Sequence, residues 1–308
     1  MEGWLYQHSL QLKVTGEKSK NPGVQFINGN IDIATNDDMT NIVTVHFSYT
    51  TPTYAKSGSP NATFNALQNI INGVTCNVME HGVDRAAKVR IDSQIGLNEF
   101  WSVRNNPEGE VVSQIRNEGG FLHVVQTIAA AEGLRDTFKA DMIVTNTRRI
   151  EGNEEQGREE KVEIKGFVFD FRNALLPVTF YVYGGGMDHF ENLEASPKHP
   201  AFICVNGHQV SKTVTTVRQS ENSGWGETFA QEVTSTQREF VVTGANDPYE
   251  WDDENTITAQ EYKEALQARE ITIAEIKSRQ EEYEASRAQT QTTFANNQPT
   301  TFAGGFNF

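Results

Sequence analysis

Residues 161–171 read Lys-Val-Glu-Ile-Lys-Gly-Phe-Val-Phe-Asp-Phe, an alternation of side-chain types interrupted once, at Gly166. In an extended strand Val162, Ile164 and Val168 share one face, and Lys161, Glu163, Lys165, Phe167, Phe169 and Phe171 share the other. A bend at Gly166 turns the Phe residues inward and is the reading adopted; a straight strand would leave the Phe and Lys face outside as a binding platform. A partner strand follows at Pro177–Tyr183, a short helical candidate at Met187–Leu193, and further strands at Ala201–Arg218 and Arg238–Thr243. A strand bent at a glycine, a hairpin, a helix between strands and a closing hairpin together describe a small five-stranded barrel.

The first half repeats this plan in pattern rather than identity. Phe26–Ala34 is interrupted at Gly29, and Asn36-Asp37-Asp38 supplies a turn into Ile42–Tyr49. There Val43, Val45, Phe47 and Tyr49 alternate with Thr44, His46 and Ser48. The Pro-, Ser- and Gly-rich loop Thr51–Asn61 carries Tyr54 and Lys56 and reads as mobile and exposed. Phe64, Leu67, Ile70 and Ile71 then fall on one face of a helix over Ala62–Ile71 that Gly73 closes. Strand character returns at Lys88–Ile91, Val111–Arg116, Phe121–Gln126 and Met142–Ile150. The expected fold is mainly β: two OB-like (oligonucleotide-binding) five-stranded barrels in tandem, over 24–155 and 156–246. A leader, 1–23, ends in the turn Asn21-Pro22-Gly23.

Charge is unevenly placed. The chain has 308 residues with 41 acids and 26 bases, a net of −15. Residues 247–308 hold twelve of those acids and five of the bases, which leaves 29 acids and 21 bases before them. The segment 247–288 is therefore an acidic arm: Glu250-Trp251-Asp252-Asp253-Glu254, then a helix opened by the capping pair Thr258 and Glu261. Tyr262, Leu266, Ile273, Ile276 and Tyr283 recur at three- and four-residue steps along it, a thin stripe suited to docking. Residues 289–308 are Gln, Thr, Asn and Gly with isolated Phe294, Phe302, Phe306 and Phe308, a composition that predicts a disordered tail with an aromatic tip.

Several chemistries lack their signatures. There is no His-Glu-x-x-His, Cys-x-x-Cys or Gly-x-Ser-x-Gly, and Gly184-Gly185-Gly186 lacks the Lys-Ser/Thr of a phosphate loop, so it reads as a turn. Cys76 and Cys204, the only cysteines, read as buried, inert thiols of a reducing compartment. No apolar run of eighteen residues and no signal pattern occurs, so the expectation is a cytoplasmic protein (host cytoplasm if viral) without membrane contact, cofactor, metal or enzymatic activity.

What remains is rings beside cations: flat side chains stack on bases while cations follow phosphates. Phe47, Tyr49, Tyr54 and Lys56 form one candidate group, and Phe100, Trp101, Arg104, Arg116 and Phe121 a second. Lys161 and Lys165 are candidates in the second barrel, and Arg148 and Arg149 at the end of the first; of the adjacent arginines only one is expected to meet a phosphate, since neighbours in a strand point to opposite faces.

In layout, an OB-type body, an acidic arm and a terminal Phe308, the chain resembles the single-stranded DNA-binding proteins of bacteria and their phages. The resemblance implies sequence-independent protection of single-stranded DNA during replication or recombination. It further implies a C-terminal arm that recruits replication or recombination proteins through Phe302, Phe306 and Phe308, or competes for the groove. The family places its acids directly before the terminal Phe, whereas here the last acid, Glu284, lies 24 residues from the end and Ala303–Phe308 is uncharged. A virion or tail component, able to use its terminal helix for assembly, is the alternative; a nucleic-acid-processing enzyme, which a divalent-metal-dependent nuclease assay would expose, is a third.

Overall fold

The computed structural model describes residues 1–104, 106–153, 158–170, 172–219, 230–250, 253 and 257–296; the side chains of 212–235 and 287–296 lie outside that description. The chain divides into two compact units, one formed by Met1–Leu97 with Ile115–Thr258, the other by Asn98–Gln114 with the helix that begins at Ala259.

In the first unit, β1 (Glu2–His8), β2 (Gln11–Val14), β3 (Gln25–Ala34), β4 (Ile42–Thr50), β5 (Lys88–Ser102) and β6 (Glu110–Val125) build a six-stranded sheet in the order β1-β5-β6-β4-β3-β2. β1 also pairs β3, and β4 meets β6 in parallel at Val45↔Asn117 and His46↔Glu118. This corrects the expectation of two closed five-stranded barrels: the first half is a six-stranded sheet that ends at β2. The residues read as a leader are the reason, because they supply β1 and β2, and Leu5 and Leu10 sit in the core. The segments expected as two strands at 111–116 and 121–126 are one, continuous through Gly119-Gly120.

Helix α1 (Ala62–Ile71) forms where its apolar period predicts, and Asn61 caps it by accepting the Thr63 amide at 3.1 Å; a one-turn helix α2 (Val78–His81) follows. Phe64, Leu67 and Ile70 pack onto Leu5, Ile27, Ile31, Val45, Phe47 and Ile91 of the sheet. Each such side chain contributes about 1.5–3 kcal/mol of burial. Gly29 holds φ +136°, and a Cβ there would come to 2.4 Å of the Ser9 carbonyl, so the strand interruption marks a close backbone crossing. The loop after β4 is more ordered than its composition suggests: Thr53 bridges Pro60, and Tyr54 exchanges amide and carbonyl bonds with Ser59 and Gly58.

The second half closes into one barrel. β7 (Thr137–Ile150), β8 (Lys161–Phe169), β9 (Leu175–Val182), β10 (Ala201–Gln219) and β11 (Ala230–Ala245) run around it in the order β10-β11-β9-β8-β7. Strands one to three form a meander and the third meets the fifth in parallel at Val241↔Tyr181. The fourth pairs both the fifth and the first. With a short helix α3 (Met187–Glu191) between the third and fourth, this is the OB-like order. β10 and β11 pair from Val205↔Ala245 to Gln219↔Ala230, a long hairpin.

The bend at Gly166 does not redirect the Phe residues. Val162, Ile164, Gly166 and Val168 all face the core, so Phe167 and Phe169 remain on the outer face with Lys165; Phe171 lies outside the described residues. The irregularity sits in β7 instead, where the register slips between Val144 and Asn146, and Thr145 is the extra residue. Gly166 permits the close approach opposite it: a Cβ there would be 1.9 Å from the Ile143 carbonyl.

Sheet and barrel meet through a polar seam. Asn41 donates from Nδ2 to Asp136 Oδ2 (2.7 Å) and the Gln209 carbonyl (3.0 Å), and accepts the Ser211 amide at 2.7 Å. Asn117 donates to Gln209 Oε1 at 2.6 Å, and His208 Nδ1 lies 2.8 Å from Asp136. Thr35, Asn117 and Gln209 are buried there, so each of these bonds satisfies groups that have lost water.

The second unit consists of the β5–β6 hairpin end and α4 (Ala259–Asn296). Arg269 grips Glu99 through both guanidinium nitrogens, and Ser113 shares the site. Burial alone would raise the Glu99 carboxyl, but the bonds from Arg269 and Ser113 outweigh it and hold it below its ordinary value. Trp101 rests against Gly109, where a Cβ would come to 2.2 Å of the indole. No described helix is long and apolar enough to cross a membrane.

Candidate nucleic-acid interface

Opposite the barrel core, strands β7, β8 and β9 present a face whose composition follows from the slip at Thr145. Met142 and Val144 point inward; past the extra residue the parity flips, so Arg148 and Ile150 lie beside Glu163 and Lys161 on the outer face. Arg149 takes the other side, where Glu160 (2.8 Å) and Glu191 (2.7 Å) hold its guanidinium. These two carboxylates push the Arg149 pKa upward, and Arg149 in turn depresses Glu160.

Around Arg148, Arg149, Ile150, Arg158, Lys161 and Tyr181 the surface forms a recess of about 450 Å³. Four of its six lining residues are cations and none is an acid. Arg158 belongs to a connection tied by the Asn153↔Arg158 bridge, and its Nε donates to the Glu151 carbonyl at 3.1 Å. Lys161 Nζ lies 3.9 Å from the centroid of the Tyr181 ring, a cation–π contact that fixes both. Tyr183 follows two residues on along the same side of the chain, half-buried like Tyr181.

Acids are interleaved with the cations of this face, Glu163 in register between Arg148 and Tyr181. Lys161 pairs with buried Glu239, which also accepts from Tyr183 Oη (2.5 Å) and Gln237 Nε2 (2.6 Å). Glu163 lies 3.1 Å from both Arg148 and Lys165. Burial raises both phenols, with Glu163 adding at Tyr181 and the Glu239 hydrogen bond adding at Tyr183, so both rings are neutral at physiological pH. Such a face offers guanidinium forks for phosphate oxygens and neutral rings for bases.

The structure sorts the sequence-derived candidates. Arg148, Arg149 and Lys161 come together in the recess, with Lys165 beside them on β8. Phe47 is a correction: at 1% exposure it belongs to the sheet core, because β4 buries Val43, Val45 and Phe47 in turn. Tyr49 is exposed and stacks on Phe26, with ring centroids 4.7 Å apart. Tyr54, Lys56 and Phe121 are exposed, while Arg116 is half-buried in an ion pair with Glu118. In the second unit Phe100 and Arg104 are exposed and Trp101 is half-buried. Phe302, Phe306 and Phe308 lie outside the described residues, as do Trp251, Asp252 and Glu254 of the acidic cluster.

Tyr181, Tyr183, Arg158 and Glu239 were not singled out in the sequence. A signal existed for the two tyrosines, since they alternate with Phe180 and Val182 along a strand whose other face is entirely apolar. Cys76 and Cys204 are half-buried rather than buried, and burial, with Asp141 adding to it, raises the Cys204 thiol. Among the described residues no group of three or more His, Cys, Asp or Glu is placed to hold a metal ion.

No curated protein matches the chain. The family model described as YorF matches residues 8–279, which takes in the sheet from β2 onward, the barrel and the first part of α4, and the chain therefore belongs to the YorF family.

Proposed function

We propose that this protein binds single-stranded DNA without sequence preference, through the outer face of the barrel, and shields it during phage DNA replication or recombination. The observation that carries the reading is the cation-lined recess: Arg148 of the first barrel strand and Arg158 of the connection after it converge on Lys161 and Tyr181, which stand on the second and third strands of an OB-like barrel. That strand pair is the surface on which OB barrels take oligonucleotides. Stacking on Tyr181 contributes about 1–3 kcal/mol per base whatever the base is, which suits a binder that does not read sequence. The net charge of −15 is a property of the whole chain, whereas binding here draws on the exposed guanidinium groups of Arg148 and Arg158 at the recess.

Fluorescence titration of the full chain with an oligo-dT strand tests the proposal, with Trp4 and Trp101 among the reporters. Saturable, salt-sensitive quenching that weakens in Arg148→Ala and Tyr181→Ala supports it. Absence of binding at low salt removes it and favours the virion or tail reading.

A further inference from the structure

Helix α4 is 38 residues long, about 57 Å, far longer than the hairpin end it packs against requires. Its first half uses one face: Tyr262 is 9% exposed, and Arg269 is clamped on Glu99. Leu266, half-buried, lies between them on that face. The steps from Tyr262 to Leu266 to Arg269 are four and three residues, and the same four-three rhythm continues through Ile273, Ile276, Gln280 and Tyr283. In that continuation Ile273 is 38% and Tyr283 59% exposed, with Ile276 and Gln280 half-buried between them. A seam that is covered in one half and open in the other, in unbroken register, is the pattern of a coiled-coil strand.

We propose that the open half of α4 pairs in parallel with the same segment of a second copy of this chain. Ile273 and Gln280 take the a positions and Ile276 and Tyr283 the d positions. The flanking charges choose the orientation. In a parallel pair Arg279, at g, faces Glu284, at the following e position of the partner copy. In an antiparallel overlap of the same segment Arg279 would meet Arg279 and Lys277 would meet Lys277. Within its own helix Arg279 donates from Nε to the Glu275 carbonyl at 3.3 Å and lies 3.8 Å from the Glu275 carboxylate, and Glu284 accepts from Gln280 Nε2 at 2.8 Å; all of these side chains but Gln280 are exposed, and such surface contacts exchange readily for a pair across an interface. Gln280 at an a position fixes register at some cost in affinity, so the pairing is concentration-dependent. This proposal does not depend on DNA binding.

Sedimentation velocity of the full chain, from about 1 µM to about 100 µM, gives the readout. A monomer–dimer equilibrium is expected, and Ile273→Asp should weaken it by at least about tenfold. Ile271→Asp is the control: Ile271 is 61% exposed but lies off the seam, so its dimer should persist. Arg279→Glu should weaken the dimer and Arg279→Glu with Glu284→Arg should restore it. A chain that stays monomeric over the whole range overturns the proposal, as does equal dissociation by Ile271→Asp and Ile273→Asp. Circular dichroism on each variant verifies that α4 is intact, which is expected because the altered side chains are exposed.

Discussion

If a phosphodiester enters the barrel recess, replacing Arg148 and Arg158 together by Ala should change how binding responds to salt. Both guanidinium groups line the recess; Arg148 is exposed and opposed by Glu163 at 3.1 Å, so it can exchange that carboxylate for a phosphate oxygen. Each phosphate contact on a single strand contributes about 0.7 to the slope of log K against log salt, so losing two flattens it by about 1.4. Between about 0.05 M and 0.2 M salt, a difference of that size changes the ratio of affinities about sevenfold. Tyr181→Ala is the companion variant: it removes a stacking surface, weakens binding by about 1–3 kcal/mol and leaves the slope unchanged. Anisotropy titrations with a labelled oligo-dT at three or more salt concentrations measure both quantities. A double arginine variant with the parental slope refutes the placement of phosphate in this recess, and a Tyr181→Ala variant of parental affinity refutes the stacking role.

Asn41→Ala should destabilise the first unit by about 2–3 kcal/mol in urea unfolding, because Asp136, the Gln209 carbonyl and the Ser211 amide all lose a partner in the seam; an unchanged midpoint would show that water replaces the amide. Gly166→Ala should cost about 3 kcal/mol or more, since its Cβ would be 1.9 Å from the backbone oxygen of Ile143 and cannot be relieved by a side-chain rotation. Glu239→Leu alone should be strongly destabilising because it leaves the Lys161 ammonium buried and unpaired, whereas Lys161→Met with Glu239→Leu should recover most of the loss; equal thermal midpoints for the single and double variants would contradict this. Glu99 has its carboxyl depressed in the folded state, so its contribution to the grip on α4 is complete above its ordinary value of 4.5 and disappears as pH falls through the lower folded value. Thermal melts of the helical signal across that acidic range should show the decline, and Glu99→Gln should remove that part of the pH dependence.

The local elements were legible because their signals are local. The apolar period of Ala62–Ile71 and the turn residues after Ala34 depend on neighbours in the chain, and both elements form where that pattern puts them. Phe47 was misplaced because an aromatic on the apolar face of an alternating strand carries the same sequence signature whether that face is covered or open. The leader was misread because a strand's worth lies in its pairing: Glu2–His8 looks mixed alone, yet pairs β3 and β5.

The amino-acid sequence by itself determined a mainly β body, the position of α1, an acidic terminal helix and the supply of cations at 148–165, because composition and period-two or period-3.6 alternation act through neighbouring residues. Only the tertiary structure decided that one half closes into a barrel while the other spreads into six strands, since closure depends on which distant edges meet. It also decided which of Arg148 and Arg149 stands beside Lys161 and Glu163 on the outer face: one extra residue at Thr145 inverts the parity of everything after it in β7, and that slip exists only in the pairing with β8.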